Sequence, residues 1–151
     1  IENFNALLKE DQKILIKNFR DMSDEEFKVA AEKRPLKTEF YTRMGRDGFS
    51  DAEIQTALDD IRQTVERMHQ AIKETGGPWI MGDFYSLADI CVAPLIDRME
   101  DMGYEQLWEK DLPQVTEWLA RMKARPAYSK AYYPGARYSE IFPDLELGRS
   151  A

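Results

Sequence analysis

A short pattern of apolar and polar residues occurs three times in the chain, each time ahead of a stretch with helical periodicity. The copies are MSDEEF at 22–27, FSDAEI at 49–54 and YSLADI at 85–90. In each copy a serine is followed three residues later by a carboxylate, and apolar residues flank the pair. This combination of a capping box and a hydrophobic staple starts an α-helix. The repetition therefore predicts a fold built from helices.

Apolar residues recur at helical spacing through most of the chain. The clearest case is 50–74, where they stand at positions 54, 58, 61, 65, 68 and 72. The predicted helices cover about 1–20, 23–34, 36–44, 50–74 and 86–101, with two more starting at Pro113 and Pro126. No convincing strand pattern is present, so the predicted fold is all-α. Residues 134–151 have no period and are expected to form a tail.

The helix that begins at Ser86 is predicted to be the centre of the fold. Residues Leu87 to Ile96 are apolar on almost every side, and such a helix is normally covered all round. A buried helix end cannot rely on water to satisfy its free amide groups. We therefore interpret Ser86 and Asp89 as a structural capping motif rather than a catalytic pair. By the same reasoning, Cys91 is expected to be buried and inert.

Composition argues against several classes of function. The chain has 151 residues, which suits one domain. Its formal net charge of −7 argues against nucleic acid or anionic lipid as the main partner, because both attract basic surfaces. No apolar run is long enough to span a membrane. With one cysteine and one histidine, we expect no metal site and a reducing, cytoplasmic compartment.

Three separated motifs resemble the C-terminal domain of cytosolic glutathione transferases. They are PWIMGD at 78–83, YSLADICVAPLIDRM at 85–99 and LPQVTEWLARMKARPAY at 112–128. They occur in the order of that family, and Ser86 and Asp89 match the family's folding motif at the start of its central helix. Upstream, MSDEEF, the Arg-Pro step at 34–35 and DGFS at 47–50 look like the bacterial branch that includes glutathione-dependent β-etherases.

The resemblance implies a division of labour between two domains. A complete glutathione transferase begins with a thioredoxin-like domain that activates the thiol of glutathione and binds most of the peptide, and nothing in this chain matches that domain. We interpret the chain, which starts at Ile1, as a fragment whose α-domain covers 1–133 and lacks the front of its first helix. The catalytic residue would then lie outside the chain, and the isolated chain would be inactive.

The same resemblance implies the substrate and the assembly. The chain would hold a small hydrophobic electrophile or aryl ether beside the sulfur of glutathione, which is catalysis by proximity. Phe40, Tyr41 and Met44 lie in the region close to the substrate cleft of the resembled branch, with core packing as the alternative. Aromatic residues near the C-terminus are a second candidate for substrate contact: Tyr132, Tyr133, Tyr138 and Phe142. The helices over 1–20 and 50–74 correspond to the dimer interface of the family, so a homodimer is expected.

Three further residues receive structural interpretations. His69 flanks an apolar stripe and has no carboxylate or serine partner by spacing, so no triad is built around it. Asp97 and Arg98 are assigned to an ion pair near a helix end, with a glutathione or interdomain contact as the alternative.

A different class of function stays open as well. The domain also resembles the assembly domains of elongation factor gamma subunits and of some aminoacyl-tRNA synthetases, which mediate protein contacts without catalysis.

Overall fold

The computed structural model describes residues 19, 21–33, 35–45, 48–141 and 143. In this part of the chain seven α-helices and two short 3₁₀ helices, Pro35–Lys37 and Glu105–Leu107, are joined by turns, with no β-strand. The α-helices are α1 (Asp24–Glu32), α2 (Thr38–Met44), α3 (Asp51–Thr75), α4 (Leu87–Asp101), α5 (Pro113–Lys123), α6 (Pro126–Ala131) and α7 (Tyr138–Ile141). The prediction of an all-α fold is confirmed. The helix predicted over 1–20 lies outside the described residues, except for Phe19. None of the described helices is long and apolar enough to cross a membrane.

Helices α1 and α3 begin as the capping pattern predicts. The backbone N–H and the hydroxyl of Ser23 each donate to Glu26 Oε2 at 2.8 Å, and the Glu26 N–H donates to Ser23 Oγ at 3.3 Å. Ser50 makes the same contacts with Glu53, at 3.0, 2.8 and 3.3 Å. The backbone and hydroxyl hydrogen bonds hold the pKa of both glutamates below its ordinary value, because they stabilise the charged carboxylate.

The chain divides into two compact units, residues 1–57 and 58–151. In the first unit, Phe19 and Met44 are the buried residues of a small core, and Met22, Phe27, Ala30, Tyr41 and Phe49 pack against them. The ring of Phe19 meets those of Phe27 and Tyr41 edge to face, with centroids 5.5 and 5.3 Å apart. Aromatic packing of this kind holds α1 and α2 together.

The core of the second unit draws its buried apolar residues from α3, α4, the segment 104–112 and α5. They include Leu58, Val65, Met68, Ile72, Ala93, Ile96, Met99, Tyr104, Trp108, Leu112, Val115, Trp118, Leu119 and Met122. Arg62 ties α3 to the segment before α5: its guanidinium donates to both carboxylate oxygens of Asp111, at 3.0 and 2.7 Å, and to the carbonyl of Leu107 at 2.6 Å. Pro113 and Pro126 stand in the first turns of α5 and α6, as predicted.

Helix α4 is not covered on every side, which corrects the prediction made from its composition. Its exposed residues include Leu87, Ile90 and Leu95, and Leu87 is 76% exposed. Cys91 is exposed as well, so the expectation of a buried thiol is wrong. The reason is that the helix turns its carboxylates inward, at positions 89, 97 and 101. Positions 87, 91 and 95 form a strip whose centre lies about 160° around the helix from Asp89, so they face outward where Asp89 faces inward.

Candidate functional site

Asp89 is the centre of a set of hydrogen bonds that joins three segments of the second unit. Its side chain is completely buried. One carboxylate oxygen accepts from Trp118 Nε1 at 2.8 Å and from the backbone N–H of Ile80 at 3.1 Å. The other accepts from the backbone N–H and the hydroxyl of Ser86, both at 2.9 Å. The carboxylate thus connects the loop before α4, the first turn of α4, and α5.

The surroundings of Asp89 suit a structural anion better than a catalytic acid or base. Burial by itself raises the pKa of this carboxyl, but the hydrogen bonds from Trp118, Ile80 and Ser86 outweigh it and hold the pKa below its ordinary value. Four donors occupy the two oxygens. An ionised carboxylate held in this way orients its neighbours and is poorly suited to exchange a proton near neutral pH.

The loop that Asp89 holds is itself tightly folded. Trp79 and Gly82 exchange two backbone hydrogen bonds, of 3.1 and 3.0 Å, and a Cβ atom on Gly77 would lie 2.2 Å from the carbonyl carbon of Gly82. The guanidinium of Arg125 stacks 3.5 Å from the centroid of the Tyr85 ring and 5.6 Å from that of Trp79. These contacts give the segment 78–85 a defined shape.

A second group of carboxylates lies at the other end of α4, around Arg137. One guanidinium nitrogen of Arg137 is 3.1 Å from Asp97 and 3.4 Å from Glu100. Its Nε lies 3.3 Å from Asp101, an ion pair that lacks hydrogen-bond geometry. The Lys123 ammonium also donates to Glu100. Three acidic side chains of one helix end are therefore balanced by cations from elsewhere in the unit.

Asp101 also holds the start of α7. It accepts from the backbone N–H of Tyr138 at 2.7 Å and from the hydroxyl of Ser139 at 2.6 Å. Burial raises the pKa of Asp101, but the bonds from Ser139 and Tyr138 and the charge of Arg137 outweigh it, so the pKa lies below its ordinary value. Residues 134–141, expected to begin a tail without periodicity, are thus tied to α4.

Asp97 and Arg98 do form charged contacts, with separate partners. Asp97 accepts from the hydroxyl of Tyr128 and pairs with Arg137. Burial, and then this bond to Asp97, raise the pKa of Tyr128 above its ordinary range. The guanidinium of Arg98 lies 4.0 Å from the centroid of the Tyr138 ring and 3.9 Å from a carboxylate oxygen of Asp101.

The three residues predicted to contact substrate all lie on α2, in the first unit. Met44 is 2% exposed and belongs to the core. Tyr41 is partly buried and packs on Phe19. Phe40 is 42% exposed, and its ring contacts Tyr41 and Phe49 edge to face, at centroid distances of 5.5 and 5.3 Å. Among the three, Phe40 presents the largest apolar surface to a ligand.

An open cavity of about 630 Å³ lies along α1 and was not anticipated from the sequence. Its lining combines apolar and charged side chains: Met22, Glu25, Glu26, Val29, Ala30 and Lys33. The residues of α1 offer little indication of it, because this helix has the composition of an ordinary exposed amphipathic helix. The exposed side chain of Val29 is the one apolar feature that distinguishes it.

The remaining candidates are spread over the second unit. His69 is partly buried, and its Nδ1 has no hydrogen-bond partner. Tyr132 is partly buried with its ring 4.5 Å from that of Tyr128, while Tyr133 is exposed. Phe142 lies outside the described residues. Within the part of the chain that the structure describes, no group of three or more His, Cys, Asp or Glu residues could hold a metal ion.

Comparison with known proteins supplies the family. Residues 23–126 match the model of the glutathione S-transferase C-terminal domain. Two curated relatives, from Sphingobium indicum strains B90A and UT26S, are both named 2,5-dichlorohydroquinone reductive dechlorinase. Each is 30% identical to the chain over 95 residues. That segment is 60% of this chain and 28% of the length of each relative. No solved structure matches. Because the family model covers well over half of the sequence, the chain belongs to the glutathione S-transferase C-terminal domain family.

Proposed function

We propose that this chain is the acceptor-binding part of a cytoplasmic glutathione transferase and works beside a thioredoxin-like domain that binds glutathione. The observation that carries the proposal is the match of residues 23–126 to the C-terminal domain of that family. In the proposed reaction the glutathione thiolate attacks an electrophilic or aryl-ether carbon. A carbon–sulfur bond forms, and where a group is displaced it departs with the electrons of its bond to that carbon.

The chain contributes position rather than proton transfer to this reaction. The buried carboxylates of α4, Asp89, Asp97 and Asp101, all have partners within the chain. The thiolate must instead be stabilised by a donor in the domain that binds glutathione. Side chains of this chain then hold the electrophile beside the sulfur, and holding two reactants in place can account for much of a rate enhancement.

Phe40 is the residue we propose as the main contact for the substrate ring. Its exposed face and its edge-to-face contacts with Tyr41 and Phe49 provide an oriented aromatic surface. Tyr41 borders this surface, and Met44 supports it from the core. The name of the curated relatives favours halogenated aromatic compounds among the electrophiles. We further propose that the complete protein is a homodimer.

The test is an assay of the protein encoded by the complete reading frame. It is incubated with glutathione and, in turn, chlorodinitrobenzene, a β-aryl ether and 2,5-dichlorohydroquinone, and product formation is compared with the uncatalysed rate. We expect glutathione-dependent turnover of at least one compound and none by the isolated chain. Phe40→Ala should raise the KM for the electrophile several-fold and leave the KM for glutathione unchanged. Leu36→Ala, which removes a fully exposed apolar side chain one turn earlier, is the matched control.

A non-catalytic interaction module is the second candidate. The observation that favours it is that the buried carboxylates of α4 all have partners within the chain, so they serve the fold and not acid–base chemistry. A folded complete protein that turns over none of the compounds with glutathione would favour this candidate. Conjugation by the isolated chain above the uncatalysed rate would contradict the division of labour that we propose.

A further inference from the structure

A guanidinium group lies beside the aromatic surface of the first unit. Arg43 follows Phe40 by three residues on α2, a spacing that makes two side chains neighbours on the surface of a helix. Phe49 joins them: its ring centroid is 5.3 Å from that of Phe40 and 5.1 Å from the guanidinium carbon of Arg43. An exposed ring and a cation are therefore supported by the same aromatic side chain.

Arg43 is oriented by weak contacts. Its cation is attracted to the ring of Phe49, and its Nε lies 3.6 Å from Glu53 Oε1, which is beyond hydrogen-bond distance. The other carboxylate oxygen of Glu53 is taken by two hydrogen bonds from Ser50. An exposed ion pair of this kind contributes little energy. The contacts with Phe49 and Glu53 involve the flat face and the Nε of the guanidinium, and neither uses its two terminal nitrogens.

Both groups are accessible to a ligand. The side chain of Arg43 is 67% exposed, and Phe40 is 42% exposed. Packing of a substrate ring on Phe40 would depend mainly on the size and shape of the ring. The guanidinium adds a preference for charge, because its N–H groups match the two oxygens of a carboxylate. Since the net charge of −7 disfavours anions in general, an anionic substrate needs a local cation of this kind.

We infer that Arg43 selects aromatic electrophiles that carry a carboxylate. The inference rests on the proposed function, in which the ring of the substrate packs on Phe40. A carboxylate is ionised at neutral pH, whereas a phenol is mostly neutral, so the carboxylate is the better partner for a guanidinium. The reaction is the one proposed above. The thiolate forms a bond to a ring carbon, and the leaving group departs with the electron pair of its bond to that carbon.

The experiment compares two substrates that differ in charge. Chlorodinitrobenzoate and its methyl ester have the same ring and the same leaving group, chloride. The KM for each is measured with glutathione and the protein encoded by the complete reading frame, as wild type and as Arg43→Gln. We expect the substitution to raise the KM for the carboxylate about fivefold, as for one exposed charge pair, and to leave the KM for the ester unchanged. An equal change for both substrates, or no change for either, would overturn the inference.

Two control variants separate recognition by the guanidinium from an effect of net charge. Arg43→Lys keeps the charge and loses the planar fork, so it should recover part of the affinity for the carboxylate. Arg67→Gln, at an exposed position of α3, removes the same charge elsewhere and should leave both KM values unchanged. In the wild type, added NaCl should raise the KM for the carboxylate more than that for the ester. If Arg67→Gln acts as strongly as Arg43→Gln, net charge explains the effect and the inference is wrong.

A binding measurement distinguishes failure of this inference from failure of the proposed function. Dinitrobenzoate and its methyl ester lack the chloride, so their binding to the same proteins can be measured by calorimetry without reaction. Arg43→Gln should weaken binding of the carboxylate and leave that of the ester unchanged. This result in a protein without turnover would support the role of Arg43 and contradict the proposed function. Turnover without such a difference would support the function and overturn the inference, and the absence of both binding and turnover would overturn both.

Discussion

The two ends of α4 hold their buried carboxylates by different means. Asp89, in the first turn, accepts hydrogen bonds from uncharged groups: an indole, two backbone amides and a hydroxyl. At the last turns, Asp97 and Asp101 also accept hydrogen bonds from uncharged groups, but in addition they share the guanidinium of Arg137. The comparison shows that a buried acid can be stabilised by oriented dipoles alone or by dipoles together with an opposite charge. These two kinds of contact respond differently to mutation, pH and salt.

The largest effect is expected from Asp89→Asn. The substitution replaces one carboxylate oxygen, which accepts two hydrogen bonds, by an NH2 group, which cannot accept any. The donors that faced this oxygen then remain in the interior without a partner. Since each unsatisfied buried group costs about 1–3 kcal/mol, we expect the free energy of unfolding to fall by about 3 kcal/mol or more in urea denaturation. Asp83→Asn, at an exposed carboxylate just before α4, is the control and should change little. A loss as small as that of the control would contradict the central place given to Asp89.

Arg137→Gln should have the second largest effect. It removes the cation shared by Asp97 and Asp101, which are almost completely buried. Because Asp101 keeps its bonds from Tyr138 and Ser139, we expect a loss of about 2 kcal/mol, below the usual cost of breaking a buried ion pair. Arg67→Gln, at an exposed position of α3, controls for the change in net charge. If both variants unfold at the same urea concentration, Arg137 does not stabilise this end of α4.

Ser86→Ala sharpens the comparison within the first turn of α4. The hydroxyl is lost while the backbone N–H of residue 86 can still donate to Asp89. Removal of a capping serine typically costs about 1 kcal/mol, which is the destabilisation we expect in the same urea assay. Ser129→Ala, at an exposed serine of α6, should be near neutral. A cost for Ser86→Ala as large as that of Asp89→Asn would mean that the hydroxyl dominates the network.

The smallest expected effect is a decrease in the free energy of unfolding at acid pH. Asp89 and Asp101 both have a pKa below the ordinary value of 3.8. The stability that each contributes is therefore fully present above that value and is lost as the pH falls through the lower pKa of the folded state. We expect the free energy of unfolding of the wild type to decrease below about pH 4, and that of Asp89→Asn to decrease less steeply. Parallel pH curves for the two proteins would contradict the assignment to Asp89.

The sequence predicts those parts of the fold whose partners lie close together along the chain. The serine and the carboxylate of each capping pair are three residues apart, so the helix starts at Ser23, Ser50 and Ser86 could be identified directly. The orientation of α4 could not, because it depends on distant residues. Trp118 donates to Asp89 from 29 residues away, and Arg137 reaches Asp97 from 40 residues away. Composition alone favoured burial of the apolar side, and that prediction failed for Cys91.

The candidate substrate residues show the same limit on a smaller scale. Spacing places Phe40 and Met44 on one side of a short helix, and it cannot distinguish which of them faces the core. The structure buries Met44 and exposes Phe40, because α2 packs through Met44 and Tyr41 against Phe19.

Segment 134–141 has no period in its sequence, and its attachment to α4 depends on the distant contacts of Arg137 and Asp101.

The most direct test of the central claim, that an opposite charge stabilises the last turns of α4 and not its first turn, is salt dependence. The free energy of unfolding of wild type, Asp89→Asn and Arg137→Gln is measured by urea denaturation at low salt and at about 1 M NaCl, where the Debye length falls to about 3 Å. We predict that the destabilisation by Asp89→Asn is the same at both salt concentrations. The destabilisation by Arg137→Gln should become smaller at high salt, by only part of its value, because Arg137 is 25% exposed and Asp97 is almost completely buried. Equal attenuation of both effects, or of neither, would contradict the claim.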